Sequence, residues 1–410
     1  VSGNFKKFLL LWSGELVSSI GGGLTSFGLG VYVFNMTGSA AGMALVTLLG
    51  FLPTLVLGVP AGVLADKYDR RLLMMIGDGC SAIGIIYILV AMMTGGASLL
   101  EICIGVTISS VFSALLEPSY KATITDILTK DEFSKANGLV SMAGSARYLF
   151  SPIIAGFLLS VSDVKLLLII DICTFFLTVI SAAVVRRGTP TNATEEDISF
   201  MESMKEGWKI ITGNKGVLML VVVASFITLF MGMFQILAEP FVLSFSDAKT
   251  LGVTETICAC GMLVTAIYLG IKGIKGRFAM LMSVSLMLAG AFMYGFGMTT
   301  NIAILCAFGF LFFASLPIAN NCLDYLIRTN IRADAQGRAW GLIGFLSQIG
   351  YVIAYAASGV AADAVGAATG RGVGFGSGTV IQVAGVMLVI IAGSILRMRS
   401  IRRLEEIGRE

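Results

Sequence analysis

Gly62-Val63-Leu64-Ala65-Asp66-Lys67-Tyr68-Asp69-Arg70-Arg71 is a short island of charge between two apolar stretches, 41–65 and 72–93. Each flank has the length at which a helix crosses the hydrocarbon of a bilayer. The island therefore reads as a tight turn on one side of a membrane, joining two spans. The same alternation runs outward in both directions. It predicts twelve spans at 8–34, 41–65, 72–93, 98–117, 137–160, 164–185, 217–245, 251–271, 278–298, 302–324, 339–363 and 380–396.

Composition agrees. Of 410 residues 56% are apolar and only 13% charged, and mean hydropathy is +0.91, too little polar surface for a protein that meets water all round. No stretch has the ten-residue alternation of a membrane β-barrel. Lys6 and Lys7 lead straight into a full-length apolar segment, which reads as an uncleaved first span rather than a signal peptide. Of 28 Lys and Arg residues, 24 fall in the terminal segments and every second connection. Lys165, Lys249 and Arg371 occupy the others, and Arg147 lies inside a span. By the positive-inside rule both termini are expected in the cytoplasm.

The longest inner connection divides the chain. The expected organisation is a six-span half at 1–185, a linker at 186–216, a second six-span half at 217–398 and a tail at 399–410, as two parallel repeats would give. Within the linker, Met201, Met204, Trp208 and Ile211 recur at helical spacing among charges, which predicts an amphipathic helix at the membrane interface. The glycine-rich outer stretch 366–378 is expected to be a flexible loop. Gly58 and Gly62 offer close helix approach.

Several chemistries are excluded or disfavoured. With no histidine, a histidine-ligated metal centre is ruled out, and any proton relay must use carboxylates. The seven cysteines lie in apolar segments without a CxxC pair and read as small packing residues. No phosphate-binding loop or nucleophile–base set is seen, so neither an enzyme, a cofactor nor a nucleic-acid partner is expected.

The island at Gly62–Arg71 resembles the loop signature of the major facilitator superfamily through Gly62, Leu64, Ala65, Asp66, Lys67, Arg70 and Arg71, with Asp69 where the family usually has glycine. The resemblance implies an all-α membrane protein of twelve helices in two six-helix pseudo-repeat halves. It also implies a latch in which Asp66 docks on the N-terminus of the eleventh span, held by Lys67, Arg70 and Arg71. The second half keeps only Gly270-Ile271-Lys272-Gly273-Ile274-Lys275-Gly276-Arg277, basic but without the acid. Further stretches resemble the macrolide-efflux branch: Leu116-Glu117-Pro118-Ser119-Tyr120-Lys121, Ser134-Lys135-Ala136-Asn137-Gly138, Met204-Lys205-Glu206-Gly207, Gly337-Arg338-Ala339-Trp340 and Ser358-Gly359. Ser151-Pro152-Ile153-Ile154-Ala155-Gly156 is a loose form of the antiporter Gly-Pro motif and equally a structural kink.

Ionisable groups inside hydrocarbon cost roughly 2.5–3.5 kcal/mol each on insertion scales and mark candidate sites. Glu15, Arg147 and Glu239 stand on spans that the resemblance places at or beside the cavity, and Asp171 stands on a more peripheral one. Glu101 and Asp324 lie near span ends, where snorkelling suffices. Phe226, Phe230 and Phe234, with Gln235 beside them, and Phe308 and Phe312 form stripes at helical spacing, either an aromatic cavity wall or a lipid-facing surface. The resemblance implies a monomeric exporter of bulky apolar or amphiphilic molecules in the bacterial cytoplasmic membrane, driven by protons. A specific metabolite exporter, such as one for a siderophore, and a non-transporting sensor on the same fold are the competing readings.

Overall fold

The computed structural model describes residues 3–129, 132–186, 200–274, 276–332, 336–398, 400–401 and 404. The polar stretch 189–197 and most of the tail at 399–410 lie outside the described residues. In chain order the helices are α1 (Gly3–Thr37), α2 (Ala40–Lys67), α3 (Arg70–Thr94), α4 (Leu99–Ser113), α5 (Leu116–Ile127), α6 (Phe133–Val161) and α7 (Val164–Arg186). They continue as α8 (Phe200–Gly213), α9 (Lys215–Leu243), α10 (Ala248–Lys272), α11 (Phe278–Met298), α12 (Ile302–Asn330), α13 (Gln336–Thr369) and α14 (Gly372–Arg397). Among the described residues there is no strand. Twelve segments are long and apolar enough to cross a membrane, α4 and α5 counting together as Leu99–Ile127.

Helix ends are fixed by local chemistry. Asp69 caps α3, accepting from the Arg71 amide at 3.1 Å. Glu101 closes a capping box with Ser98 at the start of α4, accepting from the Ser98 amide at 2.8 Å and its hydroxyl at 2.6 Å. Asn214 and Asn301 cap α9 and α12. Several helices outrun the expected spans, α12 reaching Asn330 and α13 reaching Thr369, because a helix continues past the hydrocarbon while its backbone bonds remain satisfied.

One expectation is corrected. Most of 366–378 is helical: the chain breaks only between Thr369 and Gly372, at Gly370 (φ 67°) and Gly372 (φ 81°). The flanking glycines serve close packing. A Cβ on Gly366 would meet the Gly372 carbonyl at 2.6 Å, and one on Gly376 would strike the Ala362 carbonyl. Glycine here sets the spacing of two helix ends rather than loosening a loop.

The chain forms two compact units. The first comprises Val1–Gly38, Leu45–Glu196 and Ala248–Val253, and the second Ser39–Ala44, Asp197–Asp247 and Thr254–Glu410. Inside the first unit α1 packs on α6 and α7, and α3 packs on α4 and α7. Inside the second, α9 packs on α13 and α14, and α11 on α12 and α14. The partner sets correspond one to one, so the two units repeat one design. The amphipathic α8 packs on α9 and α13 of the second unit, with Ile211 fully buried and Trp208 half exposed. Outward-facing Val90, Phe157, Ile180, Val383 and Ile390 are suited to lipid. Cys103, Cys258 and Cys322 are buried, whereas Cys173 is exposed.

Candidate functional site

In the first unit α1 is the central strut, and small residues let its neighbours close on it. Gly14, Gly21 and Gly28 recur every seven residues and face α7 at Ser181, Thr174 and Leu167 respectively. Hydroxyls and an indole tie backbone to backbone across the helices. Thr178 Oγ1 donates to the Gly14 carbonyl at 3.3 Å, Ser151 Oγ to that of Ile20 at 3.0 Å, and Trp12 Nε1 to that of Leu139 at 2.7 Å. Such contacts hold helices together where no hydrophobic difference between lipid and side chain does so.

This packing encloses charge. Asp171 on α7 is 1% exposed, and its Oδ1 accepts from Thr174 Oγ1 at 3.4 Å. The close approach of Gly21 makes that pocket, since a Cβ there would lie 2.9 Å from Asp171 Oδ1. Glu15 on α1 is half-buried, and its Oε2 is enclosed with no hydrogen-bond partner. Arg147 on α6 lies within electrostatic reach of both carboxylates. Its stem lies against α1, where a Cβ on Gly23 would be 3.1 Å from Arg147 Cγ, and beside it α6 exposes Asn137, Ser141, Ser145 and Tyr148, a polar stripe in a segment long enough to span the bilayer. Lipid does not stabilise such a stripe, and water does. Glu15, Arg147 and Asp171 are thus neighbours in one unit.

Asp78 on α3 also belongs to this group but is absent from the sequence reading. It is 1% exposed and lies within electrostatic reach of Glu15 and Asp171. The signal that finds it is the one that finds Glu15, an acid inside an apolar span.

The Gly62–Arg71 turn forms a second charged cluster in the same unit. Arg70 Nη1 bonds Asp126 Oδ1 of α5 at 2.5 Å and the Ala122 carbonyl at 3.2 Å. Its Nε donates to the Ala65 carbonyl at 3.0 Å. Arg71, 1% exposed, lies 3.6 Å from Asp126 Oδ2. Asp66 remains two-thirds exposed, with Arg70 Nη2 at 3.7 Å. Asp126 is not reached by the sequence reading because the fourth span is expected to end at 117, within the first turn of α5. Asp69 accepts from Arg186 Nε of α7 at 2.6 Å. Burial works against its carboxylate, but the bonds from Arg186 and the Arg71 amide, with the Arg186 charge, outweigh that and hold its pKa below the ordinary value.

The second unit is built around rings. Phe234 of α9 stacks on Phe312 of α12 at 4.5 Å between centroids and lies 4.7 Å from Phe296 of α11. Phe230, Phe234 and Phe312 are all at most 3% exposed, packed within the unit. Phe226 and Phe308 are half-buried. Gln235 accepts from Tyr355 Oη at 3.2 Å, and Tyr351 lies beside Tyr355 at 5.7 Å. Glu239 on α9 is half-buried and is close enough to Glu255 on α10 for their charges to interact. Glu255, like Asp78, is missing from the sequence reading. Asp363 of α13 accepts from the amides of Ala40 and Ala41 at 2.9 and 3.1 Å, capping the first turn of α2. Among the described residues no cluster of His, Cys, Asp or Glu could hold a metal ion.

The model of the Major Facilitator Superfamily matches residues 11–355. Macrolide efflux protein A of Streptococcus pyogenes is 27% identical over 375 residues, covering 88% of this chain and 90% of its own. The uncharacterized MFS-type transporter YfiS of Bacillus subtilis is 23% identical over 377 residues, with 88% of each chain covered. Among solved structures, a bacterial homologue of the human lysosomal transporter Spinster has a TM-score of 0.74 at 14% identity, covering 99% of both chains. The nucleoside transporter NupG has a TM-score of 0.71 at 13% identity, covering 95% of this chain and 98% of its own. At such identities the structural likeness establishes the fold and not a substrate.

Proposed function

We propose that this chain, which belongs to the Major Facilitator Superfamily, exports bulky apolar or amphiphilic molecules of macrolide type by proton antiport with alternating access. Transport across a membrane follows from the family and the twelve spans; substrate class and coupling ion are our reading. The observation that carries it is the enclosure of Glu15 and Asp171 beside Arg147, on a unit whose α6 presents a polar stripe. A carboxylate whose counter-charge is exposed to water and substrate changes its proton affinity when that counter-charge is drawn elsewhere. Glu239, paired with Glu255 in the second unit, is a second coupling candidate.

For the substrate, similarity in sequence to macrolide efflux proteins along most of the chain supports an apolar or amphiphilic cargo. Phe226 and Phe308, the half-buried rings of the two stripes, are the side chains suited to touch it, with Gln235 as a polar handle. Phe230, Phe234 and Phe312 support them from within the unit. The Gly62–Arg71 turn, with Asp66 exposed and Arg70 fixed on Asp126, serves as a conformational latch. Both termini face the cytoplasm, the orientation the charge bias favours, and the working unit is the monomer.

The experiment is uptake of a macrolide into inverted membrane vesicles under an imposed, inside-acid pH gradient. Wild-type protein is expected to accumulate the compound only while the gradient is present. Glu15→Gln and Arg147→Ala, still folded, are expected to lose that dependence. If no compound of a broad apolar panel is accumulated by folded protein, the reading fails in favour of a narrow metabolite transporter or a sensor.

A further inference from the structure

We infer that Asp78 is an exchangeable-proton site of the first unit, whose protonation is coupled to the charges of Glu15 and Asp171. This deepens the proton-coupled reading above, which does not use Asp78. Four observations converge on this site. Asp78 is 1% exposed, and neither carboxyl oxygen has a hydrogen-bond partner. The enclosed Glu15 Oε2 also lacks one. The Tyr120 hydroxyl on α5, independent of the acids, is buried and unpartnered, on a side chain that senses the Glu15 charge. Asp171 completes the group from α7, accepting from Thr174 Oγ1 at 3.4 Å.

The charge balance makes the case. Three carboxyl groups, Glu15, Asp78 and Asp171, stand near one guanidinium, Arg147, which reaches Glu15 and Asp171. An ionised carboxylate buried without donors is strongly disfavoured, and three of them are not offset by one cation. The first-unit helices packed on α3 are α4, α5 and α7. The described acids and phenol they carry are Asp171 on α7, Tyr120, Glu117 and Asp126 on α5, and Glu101 on α4. Of these, Glu117 is 75% exposed and pairs with Lys121 at 2.6 Å, Asp126 is held by Arg70, and Glu101 caps α4. Asp171 is shared with Arg147. The cations described on these helices are paired elsewhere, Lys121 with Glu117, Lys165 with Asp163, Arg186 with Asp69, and Arg70 and Arg71 with Asp126, so a proton is the ligand the Asp78 oxygens suit. In the exchange the O–H bond of Asp78 breaks, the proton passes to water, and the charge left on Asp78 is opposed by any charge on Glu15.

The test reads the proton directly. Infrared spectra of the purified full-length protein in lipid vesicles are compared across pH, following the carbonyl stretch that only a protonated carboxyl gives. At about pH 7, where an aspartate in water is fully ionised, wild type is expected to retain such a band and Asp78→Asn to lose it. Glu15→Gln and the shape-conserving Tyr120→Phe are each expected to move the pH at which the Asp78 band disappears. A spectrum at that pH unchanged by Asp78→Asn overturns the inference, as does a band indifferent to both Glu15→Gln and Tyr120→Phe. If the band behaves as expected while no pH gradient drives uptake of any macrolide, the site stands and the export reading falls.

Discussion

The two units share one pattern of helix pairing but fill it differently. In the first, α1 meets α6 and α7 through glycines, serines and threonines, and the close approach shuts carboxyl groups away from lipid. The second also closes α9 on α13 and α11 on α14 through small residues, as at Gly232 with Ala354 and Gly290 with Gly385, but there α9, α11 and α12 meet through stacked and tilted phenylalanines, with Phe234 touching Phe296, Phe312 and Phe313. Small residues bring backbones and polar atoms together, whereas rings hold helices apart and fill the space with apolar surface. The same architecture thus encloses carboxyl groups beside Arg147 in one unit and a cluster of rings in the other.

The largest expected effect sharpens the contrast from the aromatic side. Phe234→Ala should remove about 3–5 kcal/mol of stability, the usual cost of deleting a buried ring, seen as a large fall in thermal midpoint that is the same from pH 6 to pH 8. Asp126→Ala comes next, at about 3 kcal/mol, because it strips the carboxylate from half-buried Arg70 and buried Arg71. Replacement by Asn should recover part of that loss in the same melting assay. Gly21→Val is expected to cost about 1–3 kcal/mol by overpacking, since its Cβ would strike Thr174 and crowd Asp171. Gly22→Val, one residue on and with nothing within 4 Å, should be nearly neutral. Equal melting of the two glycine variants would break the claim that close approach defines the first unit.

The smallest effect is a pH effect. With its folded pKa below the ordinary aspartate value, Asp69 contributes stability that is present above about pH 4 and is lost as the pH falls through the folded value. Arg186 is 43% exposed, so solvent screening limits the contribution to less than about 1 kcal/mol. Asp69→Asn should therefore lower the neutral part of the melting curve slightly and flatten its acid limb, with wild type and variant converging below the folded pKa.

The spans are legible in the sequence because hydrocarbon thickness imposes a length on every crossing segment and charges collect between crossings. Where helices stop is less legible. The turn at Ala114 and Leu115 that redirects the fourth span into α5 has no proline or glycine, and missing it hid Asp126. Glycines at 366–378 have the composition of a loop, yet several of them are interfaces between helices, a use that depends on which backbone lies opposite. Glu15, Arg147 and Asp171 stand out in sequence as ions in apolar runs. The same rule reaches Asp78 and Glu255, which lie only a turn or two inside their spans, where a charge is easily taken for a span end. Which stripe rings face inward depends on α11, whose Phe296 closes the cluster around Phe234 and has no periodic link to it in sequence.

The most direct test of proton-coupled export follows protons rather than cargo. Inverted vesicles holding an inside-acid gradient, reported by a pH-sensitive dye, are given a macrolide with wild type or Glu15→Gln in the membrane. Addition of the compound is predicted to discharge part of the gradient with wild type and to leave it untouched with the variant. Uptake of the compound by wild type with the gradient unchanged would contradict proton antiport.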